Sequence, residues 1–232
     1  MIKTISEIIF RSDLVNNINQ EYIESYIQNL LPKPTPFIQE MQDYAKKDHI
    51  PIVHPEVAQL IVLILQAQKC KKVLEIGTAI GYSSILWATA MGKDSQVITI
   101  EREPDMILVA KQYVQKAQLQ DNIKILEGQA EDVLLALNEG FDCIFLDAAK
   151  GHYMDFLPIC LSLLKDGGIL ISDNVLFRGM VASNALVKRR KITIVKRMRK
   201  YLEFISDHPQ LTTSIIPIGD GLAISLKRSE DK

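Results

Sequence analysis

VLEIGTAIGYSS, residues Val73 to Ser84, runs from four residues of buried-strand type through two glycines into the opening of a helix. A strand ending in a glycine turn before a helix is where an open α/β sheet receives ligands. Downstream the same alternation repeats, with strand-like runs at QVITIE from Gln96, IKILEG from Ile123, FDCIFLD from Phe141 and GGILISD from Gly168, each separated by an amphipathic segment. That pattern predicts right-handed βαβ units and a parallel sheet covered on both faces. TSIIPIG and GLAISLK, joined at Gly219-Asp220-Gly221, predict an antiparallel hairpin at the sheet edge. Upstream, Tyr22 to Leu31, Pro36 to Lys47 and Pro55 to Gln68 read as helices. The expected fold class is α/β: a Rossmann-like, seven-stranded, mostly parallel sheet with a C-terminal antiparallel hairpin and N-terminal helices. It forms one domain, a helical preface over 1–48 and a core over 49–227.

The bulk composition agrees. In 232 residues, 47% hydrophobic and 24% charged, there is enough apolar side chain for one sizeable core. A net charge of -1 argues against a globally basic nucleic-acid binder and directs attention to local patches. Cys70, Cys143 and Cys160 form no Cys-x-x-Cys pair, which predicts buried free thiols in a reducing cytosol rather than a disulfide framework or zinc site. Glu7, Arg11 and Asp13 interrupt the apolar residues of the first seventeen positions, and no run reaches membrane-spanning length. A cytoplasmic protein with no membrane partner is expected.

The glycine turn narrows the cofactor. A dinucleotide fingerprint needs a middle glycine between Gly77 and Gly81, where this chain has Thr78-Ala79, and no Gly-Lys-Ser/Thr follows to make a P-loop. Glu101 ends the second strand, where a carboxylate can accept from both hydroxyls of a ribose. Glu75-x-Gly77-x-x-x-Gly81 with Glu101 therefore fits an adenosine ligand without a pyrophosphate, and S-adenosylmethionine belongs to that class.

Asp147 ends the fourth strand and Asp173-Asn174 the fifth, on the same sheet edge as Gly77. Two carboxylates and an amide oxygen are hard ligands suited to Mg²⁺. Singly, Asp147 could cap the next helix and Asp173-Asn174 could make a turn; together with a cofactor turn on the same edge they predict a metal site. Lys150, three residues after Asp147, is close enough to serve as a general base, and equally suits an ordinary exposed lysine.

VLEIGTAIGYSS, VITIERE, FLDAAKGHY, SDNVLFRGMV and PIGDGLAIS together resemble the metal-dependent, S-adenosylmethionine-dependent O-methyltransferases of the catechol and caffeoyl-CoA type, from about His49 to Lys227. Within that family the chain is similar to the bacterial tRNA 5-hydroxyuridine methyltransferases of the TrmR group. The resemblance implies donor contacts from Val53, Ser83, Glu101 and Asp147, a donor turn at Gly77, metal ligation by Asp147, Asp173 and Asn174, and Lys150 as catalytic base. It implies a homodimer as well. Gly128-Gln129-Ala130 stands where relatives often carry Gly-Asp-Ala, so an amide at Gln129 replaces an adenine-contacting acid. The first fifteen or so residues read as an extension.

Lys188 to Lys200, KRRKITIVKRMRK, bears on the substrate. Lys188, Arg189, Arg190, Lys191, Lys196, Arg197, Arg199 and Lys200 give eight cations and no acid in a chain of slightly negative charge. Such a segment can neutralise phosphates of an RNA backbone and guide an anticodon loop to the metal edge. The expected reaction is methylation of 5-hydroxyuridine to 5-methoxyuridine at wobble position 34 of tRNA. Alternatives are a catechol or hydroxycinnamoyl-CoA substrate, with the segment a solvated helix whose Ile192, Ile194, Val195 and Met198 face the protein, or a basic membrane-surface helix.

Overall fold

The computed structural model describes residues 18–148 and 150–229. The anticipated N-terminal extension lies outside them. Among the described residues three helices come first, α1 (Glu21–Leu30), α2 (Pro36–Lys47) and α3 (Pro55–Ala67). Both α2 and α3 open on a proline, whose fixed φ and missing N–H suit the first helical position. Thr35 caps α2, its hydroxyl accepting from the Ile38 N–H at 3.3 Å.

There follow β1 (Lys72–Ile76), α4 (Tyr82–Met91), β2 (Gln96–Glu101), α5 (Pro104–Lys116), β3 (Ile123–Glu127), α6 (Ala130–Ala136) and β4 (Phe141–Leu146). The chain ends in α7 (Tyr153–Leu163), β5 (Leu164–Ser172), α8 (Ile192–Asp207), β6 (Leu211–Ile216) and β7 (Leu222–Lys227). The sheet order is β3-β2-β1-β4-β5-β7-β6. The first five of these are parallel, β7 runs antiparallel to β5, and β6 antiparallel to β7. The expected seven-stranded sheet is present, and the second strand of the hairpin lies against the parallel part. Strand order reverses between β1 and β4, which opens a crevice beyond their C-terminal ends.

Period-two alternation divides the sheet residues between two cores. Leu74, Ile76, Ile98, Ile100, Ile144 and Leu146 pack beneath α7 and α8 with Tyr153, Phe156, Met198 and Tyr201. Val73, Val97, Cys143 and Phe145 pack with Val57, Ile61, Ile85 and Trp87 of α3 and α4. The three cysteines are free and buried. β5 begins four residues earlier than its sequence suggests: Leu164 pairs with Phe141, the ladder shifts register, and pairing resumes at Ile169 with Cys143. The shift takes up Lys165-Asp166-Gly167, with Gly167 at a φ of +75° that few other residues accept. Among the described residues no helix is long and apolar enough to cross a membrane.

Candidate active site

The strand ends that meet at the crevice are tied by backbone bonds continuing one step beyond the strands. Gly77 N–H donates to the Ile100 carbonyl at 3.0 Å, Asp147 N–H to Ile76 at 3.0 Å, Asp173 N–H to Leu146 at 3.0 Å, and Gly128 N–H to Glu101 at 2.9 Å. Gly77 has a φ of +109°, and a Cβ there would sit 2.5 Å from the Asp147 carbonyl oxygen. Only a residue with no side chain lets the β1 turn come this close to the end of β4. Behind them the Tyr153 hydroxyl lies 3.0 Å from both the Leu146 and Asp173 carbonyls, so one donor spans the ends of β4 and β5.

A cavity of about 480 Å³ opens over these ends, and Val53, Gly77, Ser83, Glu101, Gly128, Gln129, Ala130, Asp147, Lys150 and Asn174 all line it. Glu101 is held in place from both oxygens. Its Oε2 accepts from Ala79 N–H at 2.8 Å, and Oε1 from Arg102 N–H at 2.9 Å and Glu103 N–H at 3.1 Å. A carboxylate fixed in this way can accept vicinal hydroxyls with its remaining lone pairs. Ala79 itself adopts a φ of +46°, so the Glu101 bond also stabilises an uncommon turn conformation.

Glu75 requires a correction. Expected at the cofactor turn, it is fully buried and is not among the residues lining the cavity. Strand alternation points it beneath α4, opposite to its neighbours Leu74 and Ile76. There its Oε2 accepts from the Ser84 hydroxyl and from Thr99 Oγ1, the latter at 2.7 Å, and Thr78 Oγ1 lies 2.6 Å from Thr99 Oγ1. Burial pushes its pKa up, against the pull of the Ser83, Ser84 and Thr99 hydroxyls. Glu75 therefore braces the turn from behind rather than meeting a ligand.

Asp147 and Asp173 come together at adjacent strand ends, with Asn174 beside them at a φ of +57°. Asp173 is buried behind the cavity lining to which Asp147 and Asn174 belong, and its Oδ1 accepts from Asn174 N–H at 2.6 Å. Burial drives the Asp147 carboxyl well above the ordinary carboxylate range and the Asp173 charge adds to this, while Lys150 opposes. Burial likewise raises Asp173 to about 6, against the Asn174 N–H and the Lys150 charge. Among the described residues no cluster of three or more His, Cys, Asp or Glu side chains is arranged to hold a metal; the set here is two carboxylates and an amide oxygen. Two desolvated carboxylates short of positive charge fit a hard divalent cation, which would relieve both penalties.

Lys150 stands between this pair and a residue that the linear pattern offers only as a hairpin connector. Its Nζ is 3.7 Å from Asp220 Oδ2 and 5.2 Å from the centre of the Phe177 ring. Asp220 also receives the Arg178 N–H on Oδ1, and its carbonyl accepts from Leu176 N–H at 3.0 Å while that of Gly221 accepts from Val175 N–H at 2.9 Å. Burial pushes the Asp220 pKa up, opposed by the Arg178 N–H and the Lys150 charge. The hairpin turn thus clamps the loop after β5. The only sign of this in the sequence is that PIGDGLAIS accompanies the other motifs.

The basic segment is not one uniform helix. Arg189–Lys191 forms a 3₁₀ turn, and α8 starts at Ile192. Val195 and Met198 face the core as expected, Ile194 is half-buried, and Ile192 is exposed, because it opens the helix before the packed turns begin. Arg199 is committed internally, donating to the Val181 carbonyl at 2.8 Å, the Met180 carbonyl at 3.2 Å and Asn184 Oδ1 at 2.8 Å. Arg197 donates to the Gly151 carbonyl at 3.1 Å, next to Lys150, and Lys191 lies 5.6 Å over the same Phe177 ring as Lys150. Lys188 is half-buried, whereas Arg189, Arg190, Lys196 and Lys200 have exposed side chains. Glu131, His152 and Phe156 are among the lining residues that escape the sequence reading. No periodicity marks them, since they come from the first turns of two helices and the 3₁₀ turn before one of them.

A Rossmann-like sheet closed by this hairpin is shared with solved methyltransferases. More particularly, the chain matches the O-methyltransferase family over residues 33–228 and belongs to it. It is 32% identical over 173 residues to a catechol O-methyltransferase of Niastella koreensis, covering 72% of this chain and 78% of that one. To a catechol O-methyltransferase of Mycobacterium tuberculosis it is 30% identical over 182 residues, covering 76% and 80%. Among solved structures, a provisional caffeoyl-CoA O-methyltransferase from Staphylococcus aureus superposes with a TM-score of 0.84 at 35% identity, over 89% of this chain and all (100%) of that one. An O-methyltransferase from Bacillus cereus in complex with S-adenosylhomocysteine gives 0.79 at 25% identity, over 89% and 97%.

Proposed function

We propose that the chain transfers the methyl group of S-adenosylmethionine to the 5-hydroxyl of 5-hydroxyuridine at position 34 of tRNA, in a Mg²⁺-dependent reaction, acting as a cytoplasmic homodimer. The observation that carries the RNA substrate is the exposed side chains of Arg189, Arg190, Lys196 and Lys200 on a segment whose Arg197 is hooked to Gly151, beside Lys150. Cations placed there can follow a phosphate backbone while one base enters the cavity. Tyr22, Tyr26 and Leu30, exposed on α1, support a second copy as partner.

In this reading Glu101 holds the donor ribose, Gly77 admits the donor to the backbone, and Val53, Ser83 and the Gly128-Gln129-Ala130 turn complete its pocket. Asp147, Asp173 and Asn174 would hold Mg²⁺, which when bound lowers the pKa of an acceptor hydroxyl. Lys150 Nζ is the group to which this reading gives the hydroxyl proton, and Asp220 and the Phe177 face keep that amine in position. The methyl carbon leaves sulfur as the oxygen–carbon bond forms, an in-line displacement in which alignment supplies much of the rate.

The names of the two catechol O-methyltransferase relatives and of the Staphylococcus aureus caffeoyl-CoA O-methyltransferase structure favour a second reading, in which the acceptor is a small catechol or a hydroxycinnamoyl-CoA ester. One experiment separates the two: methyl transfer from labelled donor, with Mg²⁺ and after EDTA, to tRNA carrying 5-hydroxyuridine, to unmodified tRNA and to a simple catechol. Metal-dependent labelling of the hydroxylated tRNA alone is expected. Labelling of the catechol alone refutes the RNA substrate, and labelling that persists in EDTA refutes the metal. Light scattering on the same preparation should give twice the chain mass.

A further inference from the structure

We propose that His152 and Glu131 form a clasp across the adenine end of the donor cavity, and that Asp155 competes for the same imidazole and so sets how long donor and product stay bound. The inference rests on the donor assignment above. With Glu101 at the ribose, the adenine end lies beyond it, between the first turn of α6 and the 3₁₀ turn Lys150–His152. Glu131 belongs to the first of these and His152 to the second, and both line the cavity with Gln129 and Phe156.

His152 Nδ1 is 3.5 Å from Glu131 Oε1 and 3.2 Å from Asp155 Oδ2. An imidazole nitrogen carries at most one hydrogen, and an N–H shared between two carboxylates holds each less well than it would hold one alone, so Glu131 and Asp155 compete for Nδ1. Asp155 lies three residues away in the same stretch of chain, and a contact with it leaves the cavity open. Glu131 lies on the opposite lip, and a contact with it bridges the mouth. The imidazole stacks on Phe156, with ring centres 6.1 Å apart and planes at 27°, which gives it a surface on which to turn. The side chains of His152, Glu131 and Asp155 are 44%, 47% and 60% exposed. Exposed pairs of this kind are weak, as a contact that must break in every turnover requires.

The two carboxylates then have opposite effects although each substitution removes one negative charge. Glu131→Gln should speed S-adenosylhomocysteine dissociation about twofold to fivefold, the range an exposed ion pair spans. Asp155→Asn should slow it by a similar factor, because the imidazole loses its local partner. Adenosine, which lacks the amino-acid arm, should show the same pair of shifts in affinity, and His152→Ala should abolish the difference between the two variants. Dissociation rates by stopped-flow fluorescence and affinities by calorimetry read all of this, with equal unfolding temperatures confirming intact folds. Unchanged rates in both variants, or shifts of the same sign, refute the clasp and leave the donor reading standing. Failure of the unaltered chain to bind S-adenosylhomocysteine refutes the donor reading, and the clasp with it.

Discussion

The Glu101 side and the Lys150 side of the cavity, which the proposed function assigns to donor and acceptor, are built from different materials. On the donor side the contacts are backbone groups and short side chains at strand ends, fixed by Gly77, by the three N–H groups on Glu101 and by the ladder bonds between strands. On the acceptor side they are long cationic side chains on a 3₁₀ turn and a helix, arranged around a loop in which Asn174, Phe177 and Arg178 all have positive φ. Backbone contacts are dictated by local sequence, whereas a long arginine takes whichever carbonyl the tertiary fold brings within reach. The donor side should therefore be intolerant of small changes, and the acceptor side should divide into residues that hold the loop and residues that meet the substrate.

The largest expected effect falls on the donor side. Gly77→Ala places a methyl group 2.5 Å from a backbone oxygen at a φ of +109°. It should cost about 3 kcal/mol of stability and at least about tenfold in donor affinity. Calorimetry and thermal unfolding would measure both, and an unchanged affinity would break the claim that the backbone shapes this side. On the acceptor side, Arg199→Ala removes three hydrogen bonds that hold residues 180–184 and should lower stability by about 1–3 kcal/mol. Arg189→Ala with Lys196→Ala should leave the unfolding temperature within about a degree and weaken tRNA binding, with a shallower salt dependence. If all three arginine and lysine substitutions behave alike, the division is wrong.

The smallest effect comes from the opposite sheet edge and sharpens the comparison as a control. At the start of β4, Asp142 accepts from the Lys71 and Lys72 N–H groups at 2.8 Å each and from Lys165 Nζ at 2.6 Å. Burial alone would raise its pKa, but the Lys165 and backbone hydrogen bonds outweigh it and the net shift is downward from 3.8. The native state thus favours the ionised form, and its contribution is complete above the unfolded value and lost as pH falls through the lower folded one. Asp142→Asn should cost about 1 kcal/mol at neutral pH. Its unfolding temperature should converge with that of the unaltered chain below about pH 4, with donor binding unchanged throughout. A gap that widens in acid would reverse the sign.

The same contrast explains what could be read from the residues. VLEI, QVITIE and FDCIFLD became strands because apolar runs of that length, bounded by turns, have few other homes in an α/β chain. Gly77, Glu101, Asp147, Asp173 and Asn174 fall at strand ends, and parallel strands bring their ends to one edge, so topology alone gathers them. Glu75 departs from the expectation because a motif position does not reveal which side of a strand a side chain takes when both sides are buried. Asp220 was concealed by distance, since nothing near Gly219-Asp220-Gly221 indicates that the turn folds back onto Leu176. Arg199 stands in a run of identical charges, and its separate role appears only once residues 180–184 lie beneath it.

That hairpin turn has a further consequence for how the protein comes into being. Every strand from β1 to β5, and both carboxylates at their ends, precede it in translation, yet Lys150 and the loop carrying Asn174 receive their last tether only from Asp220 and Gly221. Gly221 seats against Leu176 so closely that a Cβ would lie 2.4 Å from the leucine Cγ. On a ribosome-bound chain those contacts cannot form until residues 211–227 have been released.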